Sequence, residues 1–316
     1  MRGNDGLITG VSGEKHSDQG CPERGPIRIA YILVAFERTE SVIRLVRRLY
    51  APDHFFFIHY NLRSADSGFQ RIAGALGGLP NVKMLERYKC RWGDDGIVRA
   101  ALGAIRELAR QEFPCDYAIF LSEKDYPLKS DAQFRKRLAG AAGGSFMEWG
   151  AWPIPGWEKG RAIKRMEDFH WQLPFPWWVR SLGWPPSRQH LTLPWKRRVP
   201  GGLRPHFGSS FWYLHRSCLK YIHEYVTAHP EYVRFFRHVF IPDECFFQTL
   251  LMNSPVAASV TPRTLTHVEW RPPFPAVFTL ADLPKLQASD CLLARKFDPA
   301  VDRQVLDELD LLSQKD

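Results

Sequence analysis

Glu244 is the carboxylate of this sequence that is best placed to do chemistry. It lies in the segment 241–251, where Pro242 and Asp243 are typical of a helix start and apolar residues follow at helical spacing: Phe246, Phe247, Leu250 and Leu251. The pattern predicts a helix capped by Asp243, with Glu244 in its first turn, where the helix dipole favours an ionised carboxylate. An ionised carboxylate at the edge of a core can act as a general base towards a substrate hydroxyl. The same position is also typical of an acidic residue that only complements the dipole.

A pair of cations, Arg295 and Lys296, follows an apolar run near the end of the sequence. Arginine can hold two phosphate oxygens at once, and lysine adds a compact positive charge. Fixed cations of this kind can offset the charge that develops on a departing diphosphate. Taken alone, an Arg-Lys pair before a phenylalanine is also typical of the solvated rim of a domain.

Phosphate-binding and metal-binding motifs are scarce. No G-x-G-x-x-G follows the first predicted strand, and there is no P-loop. No Asp-x-Asp follows the strand that ends at Leu121, although Glu123 and Asp125 could supply two carboxylates, the ligands that Mg²⁺ prefers beside substrate phosphates. We therefore expect no metal and no cofactor, and we keep these two carboxylates as the alternative ion site.

Strand and helix patterns alternate through the first half of the sequence. Near-continuous apolar runs predict strands at 28–35, 54–60, 81–85 and 116–121, and amphipathic spacing predicts helices at 39–50, 66–76 and 96–108. Such alternation predicts an α/β fold with a largely parallel sheet, in which ligands lie beyond the carboxyl ends of the strands. Those ends are at 34–35, 60–61 and 122–125. A turn is expected at Tyr126-Pro127. Further on, the patterns predict strands at 208–214 and 256–260 and helices at 216–227 and 302–313.

Tryptophan is concentrated in one region without sheet patterning. Nine of the eleven tryptophans lie between Trp149 and Trp212. Prolines and basic residues are mixed among them, the latter being Lys159, Arg161, Lys164, Arg165, Lys196, Arg197 and Arg198. A loop region of this length in a compact domain is usually functional, and its rings, such as those of Trp157 and Trp177, could stack on sugar rings. It could equally be a wrap whose tryptophans only cover the core.

Composition narrows the classes of partner. The formal net charge is +9 over 316 residues, which favours an acidic partner: a phosphorylated small molecule, an anionic polymer, or a membrane surface contacted peripherally. The basic residues are scattered and form no stripe, which argues against nucleic acid. Six cysteines without C-x-x-C spacing are expected to be reduced core thiols. With no apolar stretch of about eighteen residues and no signal peptide pattern, residues 1–27 are expected to form a flexible leader of a cytoplasmic protein.

Seven short segments resemble, in their order, the core-2/I-branching β-1,6-N-acetylglucosaminyltransferases and the peptide-O-xylosyltransferases, which share glycosyltransferase family 14. The segments are Ile29-Ala-Tyr with Val34, Ile58-His-Tyr-Asn61, Trp92-Gly-x-x-x-Ile-Val-x-Ala-x-Leu102, Leu121-Ser-x-x-Asp-Tyr-Pro-Leu-Lys129, Gly208-Ser-x-x-Trp212, Pro242-Asp-Glu-x-Phe-Phe-Gln-Thr249 and Ala294-Arg-Lys-Phe-Asp298. The last two segments lean towards the xylosyltransferase branch.

The resemblance implies a GT-A-like single domain over 28–316, with a nucleotide-sugar half (28–148), an acceptor loop region (149–207) and a half (208–316) that carries the base and the diphosphate cations. It implies an inverting enzyme that moves xylose or N-acetylglucosamine from a UDP-sugar to a glycan hydroxyl, forming a β-linkage. Glu244 would be the catalytic base. The donor would contact Val34, Asn61, Trp92, Asp125, Arg271, Arg295 and Lys296. The acceptor would contact Glu148, Lys159, Arg161, Ser209, Ser210 and Trp212.

Two departures from the family pattern bear on specificity. Asn61 stands where the family usually has Asp, so one charge is missing from the expected uridine pocket. Ser210-Phe211 replaces the Asp-Trp pair of the protein xylosyltransferases, which argues against a protein-serine acceptor. The alternative function is a sugar- or anion-binding protein that has kept the fold and lost activity.

Overall fold

The first half of the chain alternates strands and helices, as its sequence pattern predicts. The computed structural model describes residues 25–153, 161–172, 190–193, 195–271 and 274–313. Up to residue 147 its elements are β1 (Ile29–Ala35), α1 (Thr39–Leu49), β2 (Phe55–Tyr60), α2 (Asp66–Leu76), β3 (Val82–Met84), α3 (Gly96–Arg110), β4 (Tyr117–Ser122), β5 (Asp125–Pro127), α4 (Asp131–Ala139) and β6 (Ser145–Met147).

Shorter elements make up the rest of the described chain. They are β7 (Gly150–Ala151), α5 (Arg161–Glu167), β8 (Phe169–Gln172), β9 (His190–Leu193), β10 (His206–Phe207), β11 (Trp212–His215), α6 (Arg216–Ala228), α7 (Pro230–Phe236), α8 (Phe246–Met252), β12 (Val260–Thr261), β13 (Thr266–Val268), β14 (Trp270–Arg271), β15 (Phe274–Pro275), α9 (Leu283–Ala288), β16 (Leu293–Arg295) and α10 (Gln304–Ser313). Four 3₁₀ turns lie among these described elements, at Pro200–Gly202, Pro242–Glu244, Ala257–Ser259 and Leu280–Asp282.

A central sheet of seven strands carries the fold, in the order β12-β6-β11-β4-β1-β2-β3. The pairs β1/β2, β1/β4, β2/β3 and β6/β12 are parallel, and only β11 runs antiparallel to its neighbours β4 and β6. The predicted α/β class with a mostly parallel, helix-flanked sheet, which the resemblance described as GT-A-like, is confirmed. The three-part division at 148 and 207 stays a prediction.

Both faces of the sheet are covered, because strand residues alternate between two apolar cores. In β1, all seven residues are buried: Ala30, Ile32 and Val34 point to one core and Ile29, Tyr31 and Leu33 to the other. Helices α3, α6, α7 and α8 pack on the first face, and α1, α2, α4 and α10 on the second. Burial on both faces explains why the first strands read as continuous apolar runs.

A second sheet, β13-β16-β5, was not predicted. Tyr126 and Pro127, expected to form a turn, belong instead to strand β5, which pairs antiparallel with β16 and sets Asp125 directly opposite Arg295. This pairing brings the carboxyl end of β4 to the cation pair.

The strand predicted at 256–260 is wrong, since a 3₁₀ turn precedes a strand of two residues. The hydroxyl of Ser254 donates to the carbonyl of Leu251 at 2.6 Å, and that of Ser259 donates to the carbonyl of Val256 at 2.7 Å. Such local side-chain bonds offer the backbone an alternative to sheet pairing.

Five of the six cysteines lie in the described ranges and are free, four of them buried, as expected for core thiols: Cys90, Cys115, Cys218 and Cys245, with Cys291 partly exposed. Among the helices that the structure describes, none has the length and apolar character needed to cross a bilayer.

Candidate active site

Glu244 lies at the end of a 3₁₀ turn (Pro242–Glu244), and helix α8 begins only at Phe246. The predicted helix start is therefore wrong: Cys245, not Asp243, is the residue before the helix, and its N–H closes the turn on the carbonyl of Pro242 at 3.1 Å. Glu244 stands outside the helix. The alternative that Glu244 only complements the helix dipole required a place in the first turn of helix α8, and Glu244 does not have that place.

The residue directly before the turn, Ile241, has a strained backbone. Ile241 adopts a φ of 54°, which is an outlier for a β-branched side chain. Its N–H donates to the carbonyl of Gly93 at 3.0 Å, so the turn is tied to the loop after β3 that carries Trp92. Trp92 is 64% exposed and packs its ring edge-to-face on Phe240, at 5.2 Å between ring centroids. Strain of this kind often accompanies functional sites, where the surroundings hold it in place.

The carboxylate of Glu244 is partly open to solvent and bound to one cation. Its side chain is 35% exposed, and Arg165 Nη2 donates to Oε2 at 2.8 Å. Arg165 belongs to helix α5, in the tryptophan-rich region. Sequence reasoning named it only among the basic residues there, because nothing in its spacing linked it to a residue 79 positions away.

Gly208 joins Glu244 to the end of strand β6. Its N–H donates to the backbone carbonyl of Glu244 at 2.9 Å, and a Cβ at this position would lie 1.8 Å from the carbonyl oxygen of Glu148. Only glycine fits between these two backbones. Glu148 is exposed, and its main chain lies against that of Gly208.

Ser209 and Ser210, both expected to meet the acceptor, continue this segment. Ser210 Oγ donates to Asp243 Oδ2 at 2.5 Å, and Gln248 Nε2 donates to the backbone carbonyl of Ser209 at 2.7 Å. Asp243 is buried, and this burial, together with the charge of Glu244, raises the pKa of Asp243 to about 6. The serines thus support the turn that holds Glu244.

Trp212, also expected to contact the acceptor, is a core residue, and that expectation is wrong. It is 0% exposed, stacks on Phe120 at 5.2 Å and meets Phe247 edge-to-face at 5.5 Å. Arg161 opens helix α5, but its side chain lies outside the description, as do Lys159, Trp157 and Trp177.

Trp212→Ala should lower the free energy of unfolding by about 3–5 kcal/mol, because it empties a large site in the core. Trp195→Ala is the matched control, since that ring is exposed and its loss should change stability by less than about 0.5 kcal/mol. Chemical denaturation of both variants measures the difference. Equal losses would mean that Trp212 is not a core residue.

Arg295 is buried beside Asp125 rather than at a solvated rim. Its Nε lies 3.7 Å from Asp125 Oδ1, and its guanidinium lies 3.7 Å from the centroid of the Phe211 ring. Burial lowers the pKa of Arg295, while the carboxylates of Asp125 and Asp243 oppose this effect. Phe211 adjoins Ser210, so Arg295 lies on one side of the segment 208–211 and the Glu244 turn contacts the same segment.

Asp125, expected to contact the donor, is instead an internal partner of this cation. Both the N–H and the hydroxyl of Ser122 donate to its Oδ2 at 2.6 Å, and its side chain is buried. Direct contact with a donor is therefore wrong for this carboxylate. Its role is to form an ion pair with Arg295 inside the protein.

Lys296 is half-buried among like charges. Burial lowers the pKa of its ammonium, and the positive charges of Arg295 and Lys124 lower it further, while Asp125 opposes them. Lys124 was missed at the sequence level, since only the β5/β16 pairing brings it near. Three neighbouring cations form a place where an anion would be stabilised.

Of the remaining donor candidates, Val34 and Asn61 are buried within the fold and Arg271 is exposed at the surface. Val34 is buried in the core at the end of β1. Asn61 Nδ2 donates to the carbonyl of Cys90 at 3.0 Å, and Asn61 Oδ1 accepts from the N–H of Cys90 at 3.0 Å. A carboxylate could not make both bonds, which explains why Asn suits this position. Arg271 is exposed and already paired with Glu269 and Asp282, at 3.1 and 2.9 Å.

The alternative metal pair, Glu123 and Asp125, is engaged by protein donors. The carboxylate of Glu123 accepts from the backbone N–H groups of Phe36, Glu37 and Arg38, at 2.6, 3.2 and 3.2 Å. It thereby fixes the segment that leads from β1 into α1. Over the described ranges no group of three or more His, Cys, Asp or Glu side chains is arranged to hold a metal ion.

The chain is similar to a known enzyme family and to proteins named as xylosyltransferases. The family model described as Core-2/I-Branching enzyme matches residues 29–288. Xylosyltransferase oxt of Drosophila melanogaster is 25% identical over 313 residues, which cover 90% of this chain and 33% of that protein. Xylosyltransferase 2 of Mus musculus is 26% identical over 333 residues, covering 96% of this chain and 36% of that protein. The chain thus spans about a third of the length of these relatives.

A crystal structure of the galactosyltransferase LgtC is also similar, over 87% of this chain and 88% of that one. Its sequence identity is 10% and its TM-score 0.37, too low to carry an argument.

Proposed function

The chain belongs to the core-2/I-branching enzyme family, and from this premise we propose that it is an inverting glycosyltransferase. It transfers xylose or N-acetylglucosamine from a UDP-sugar to a glycan hydroxyl, forming a β-linkage. One observation carries the proposal: Glu244, whose carboxylate is partly exposed, and the largely buried cation Arg295 contact the two ends of one short segment, 208–211. Glu244 does so through its backbone carbonyl, and Arg295 through the Phe211 ring. An inverting transfer needs such a base and such a cation close together.

Each residue has a defined part in the proposed reaction. Glu244 takes the proton of the acceptor hydroxyl as its oxygen attacks the anomeric carbon from the face opposite the nucleotide. Arg295, Lys296 and Lys124 offset the negative charge that builds on the departing diphosphate, which is why we propose that no divalent metal is needed. Glu148, beside Gly208, is the carboxylate that we assign to the acceptor side. A peripheral contact with an anionic membrane stays a prediction from the net charge.

A thermal-shift screen of nucleotides and nucleotide sugars tests the donor. A ligand at a hundred times its Kd stabilises the native state by about 2.7 kcal/mol, provided that it binds only that state. UDP, UDP-xylose or UDP-N-acetylglucosamine should raise the melting temperature, whereas ADP and GDP serve as controls of equal charge. Equal shifts with all three nucleotides would contradict a uridine-specific site.

Activity separates the transferase from a protein that only binds. For each UDP-sugar that binds, release of UDP is measured with and without a panel of glycan acceptors. UDP release that depends on the acceptor is expected. Binding without release of UDP under any condition would favour the anion-binding alternative.

A further inference from the structure

Arg165 reaches Glu244 from a distant part of the chain. Its Nη2 donates to Glu244 Oε2 at 2.8 Å and to the carbonyl of Ile241 at 3.0 Å, and its Nε donates to the carbonyl of Phe240 at 3.1 Å. Building on the proposed function, we propose that Arg165 is a positioning residue, which aims the base Glu244 at the acceptor hydroxyl.

The ion pair occupies one carboxylate oxygen and leaves the other for substrate. Within the described ranges, Glu244 Oε2 is bound by Arg165, whereas Oε1 has no hydrogen-bond partner. The side chain of Arg165 is mostly buried and that of Glu244 is about one-third exposed. The cation is thus fixed beneath the base, and the free oxygen is the one that an incoming hydroxyl can reach.

Arg165 also fixes the backbone on which Glu244 stands. The carbonyls that it binds belong to Phe240 and Ile241, the residues directly before the 3₁₀ turn, and Ile241 is the residue with the positive φ. The main chain of Arg165 completes the tie, since its carbonyl accepts from the N–H of Phe240 at 3.0 Å. One side chain therefore sets both the direction of the turn and the direction of the carboxylate.

The planar fork of arginine suits this task better than lysine does. Its contacts go to three separate acceptors, from two nitrogens in one rigid plane, whereas an ammonium is a point charge on a flexible stem. Arg165→Lys should therefore keep the positive charge but orient the Glu244 carboxylate less precisely. Arg165→Met should lose both the charge and the orientation.

Arg197 offers a matched control. It too is a partly buried fork that binds backbone carbonyls of the same region, those of Phe235, Asp168 and His238 at 3.1, 3.1 and 2.7 Å. None of these contacts involves Glu244. If Arg165 only held the local fold together, Arg197→Met would reproduce its loss.

The test measures kcat, donor KM and acceptor KM for the wild-type protein, Arg165→Met, Arg165→Lys and Arg197→Met. Arg165→Met should lower kcat by about tenfold to a hundredfold, less than loss of the base itself, and leave the donor KM unchanged. Arg165→Lys should restore part of kcat, and Arg197→Met should lower only the melting temperature.

The outcomes separate this inference from the function on which it rests. A wild-type protein that transfers no sugar overturns the proposed function and this inference with it. An active wild type overturns the inference alone if Arg165→Met keeps the native kcat, or if Arg197→Met lowers kcat equally. If Arg165→Met does not fold, Arg165→Lys decides, and a native kcat in that variant overturns the inference.

Discussion

Glu244→Gln is expected to lower turnover by about two to four powers of ten, the contribution of a general base, while donor binding stays nearly unchanged. The amide has the size of the carboxylate, and its oxygen can still accept the hydrogen bond from Arg165 Nη2. The turn therefore stays in place, and what is lost is the ability to take a proton. Initial rates with saturating donor and acceptor measure the loss, and a thermal shift with UDP checks the donor site.

Glu231→Gln serves as the control for this substitution, because Glu231 is an exposed carboxylate on helix α7 that pairs only with His229 within the described ranges. Its transfer rate should equal that of the wild type. Transfer by Glu244→Gln at close to the native rate would mean that another group is the base, and Glu148 would be examined next.

The elements with strong local patterns could be predicted from the sequence. Strands β1, β2 and β4 are buried on both faces, which produces the continuous apolar runs, and helix α1 buries one stripe of its surface. Each of these signals is contained in a dozen residues. The class of the fold follows from their alternation.

The parts of the site that depend on long-range pairing could not be predicted in this way. Asp125 faces Arg295 because β5 pairs with β16, and Arg165 meets Glu244 because α5 packs under a 3₁₀ turn. No local periodicity encodes either contact. The motif resemblance identified Glu244, Arg295 and Lys296 as candidate site residues, but it did not identify the side chains that bind and orient them.

Trp212 shows a signal that the sequence did contain. On strand β11 it shares its side with Leu214, and both residues belong to the core that includes Phe120. Alternation along the strand would have assigned Trp212 to the interior. The motif resemblance assigned it to the acceptor instead.

Arg295→Met is expected to weaken use of the donor by about 2.7–4 kcal/mol in kcat/KM, or a hundredfold to a thousandfold, the size found when one stabilising donor is removed from a preorganised site. Arg295 lies largely buried beside Asp125 and next to Lys296, so in the proposed site no water would replace its charge on the diphosphate. The measurement is kcat/KM for the UDP-sugar. Arg263→Met is the control, because Arg263 is an exposed arginine paired with Asp290 and should leave donor use unchanged.

A second variant separates donor binding from folding. Arg295→Met alone leaves the buried carboxylate of Asp125 without its cation, which should cost about 3–5 kcal/mol of stability if that carboxylate stays charged. In the double variant Arg295→Met/Asp125→Asn the orphan charge is gone, while the amide oxygen can still accept from Ser122. Stability should recover and donor use should not.

Activity should survive EDTA in the wild type, and Mn²⁺ should rescue neither variant. Recovery of donor use together with stability, or a wild type that EDTA inactivates and Mn²⁺ restores, would assign Arg295 a structural role and return the diphosphate charge to an ion held near Glu123.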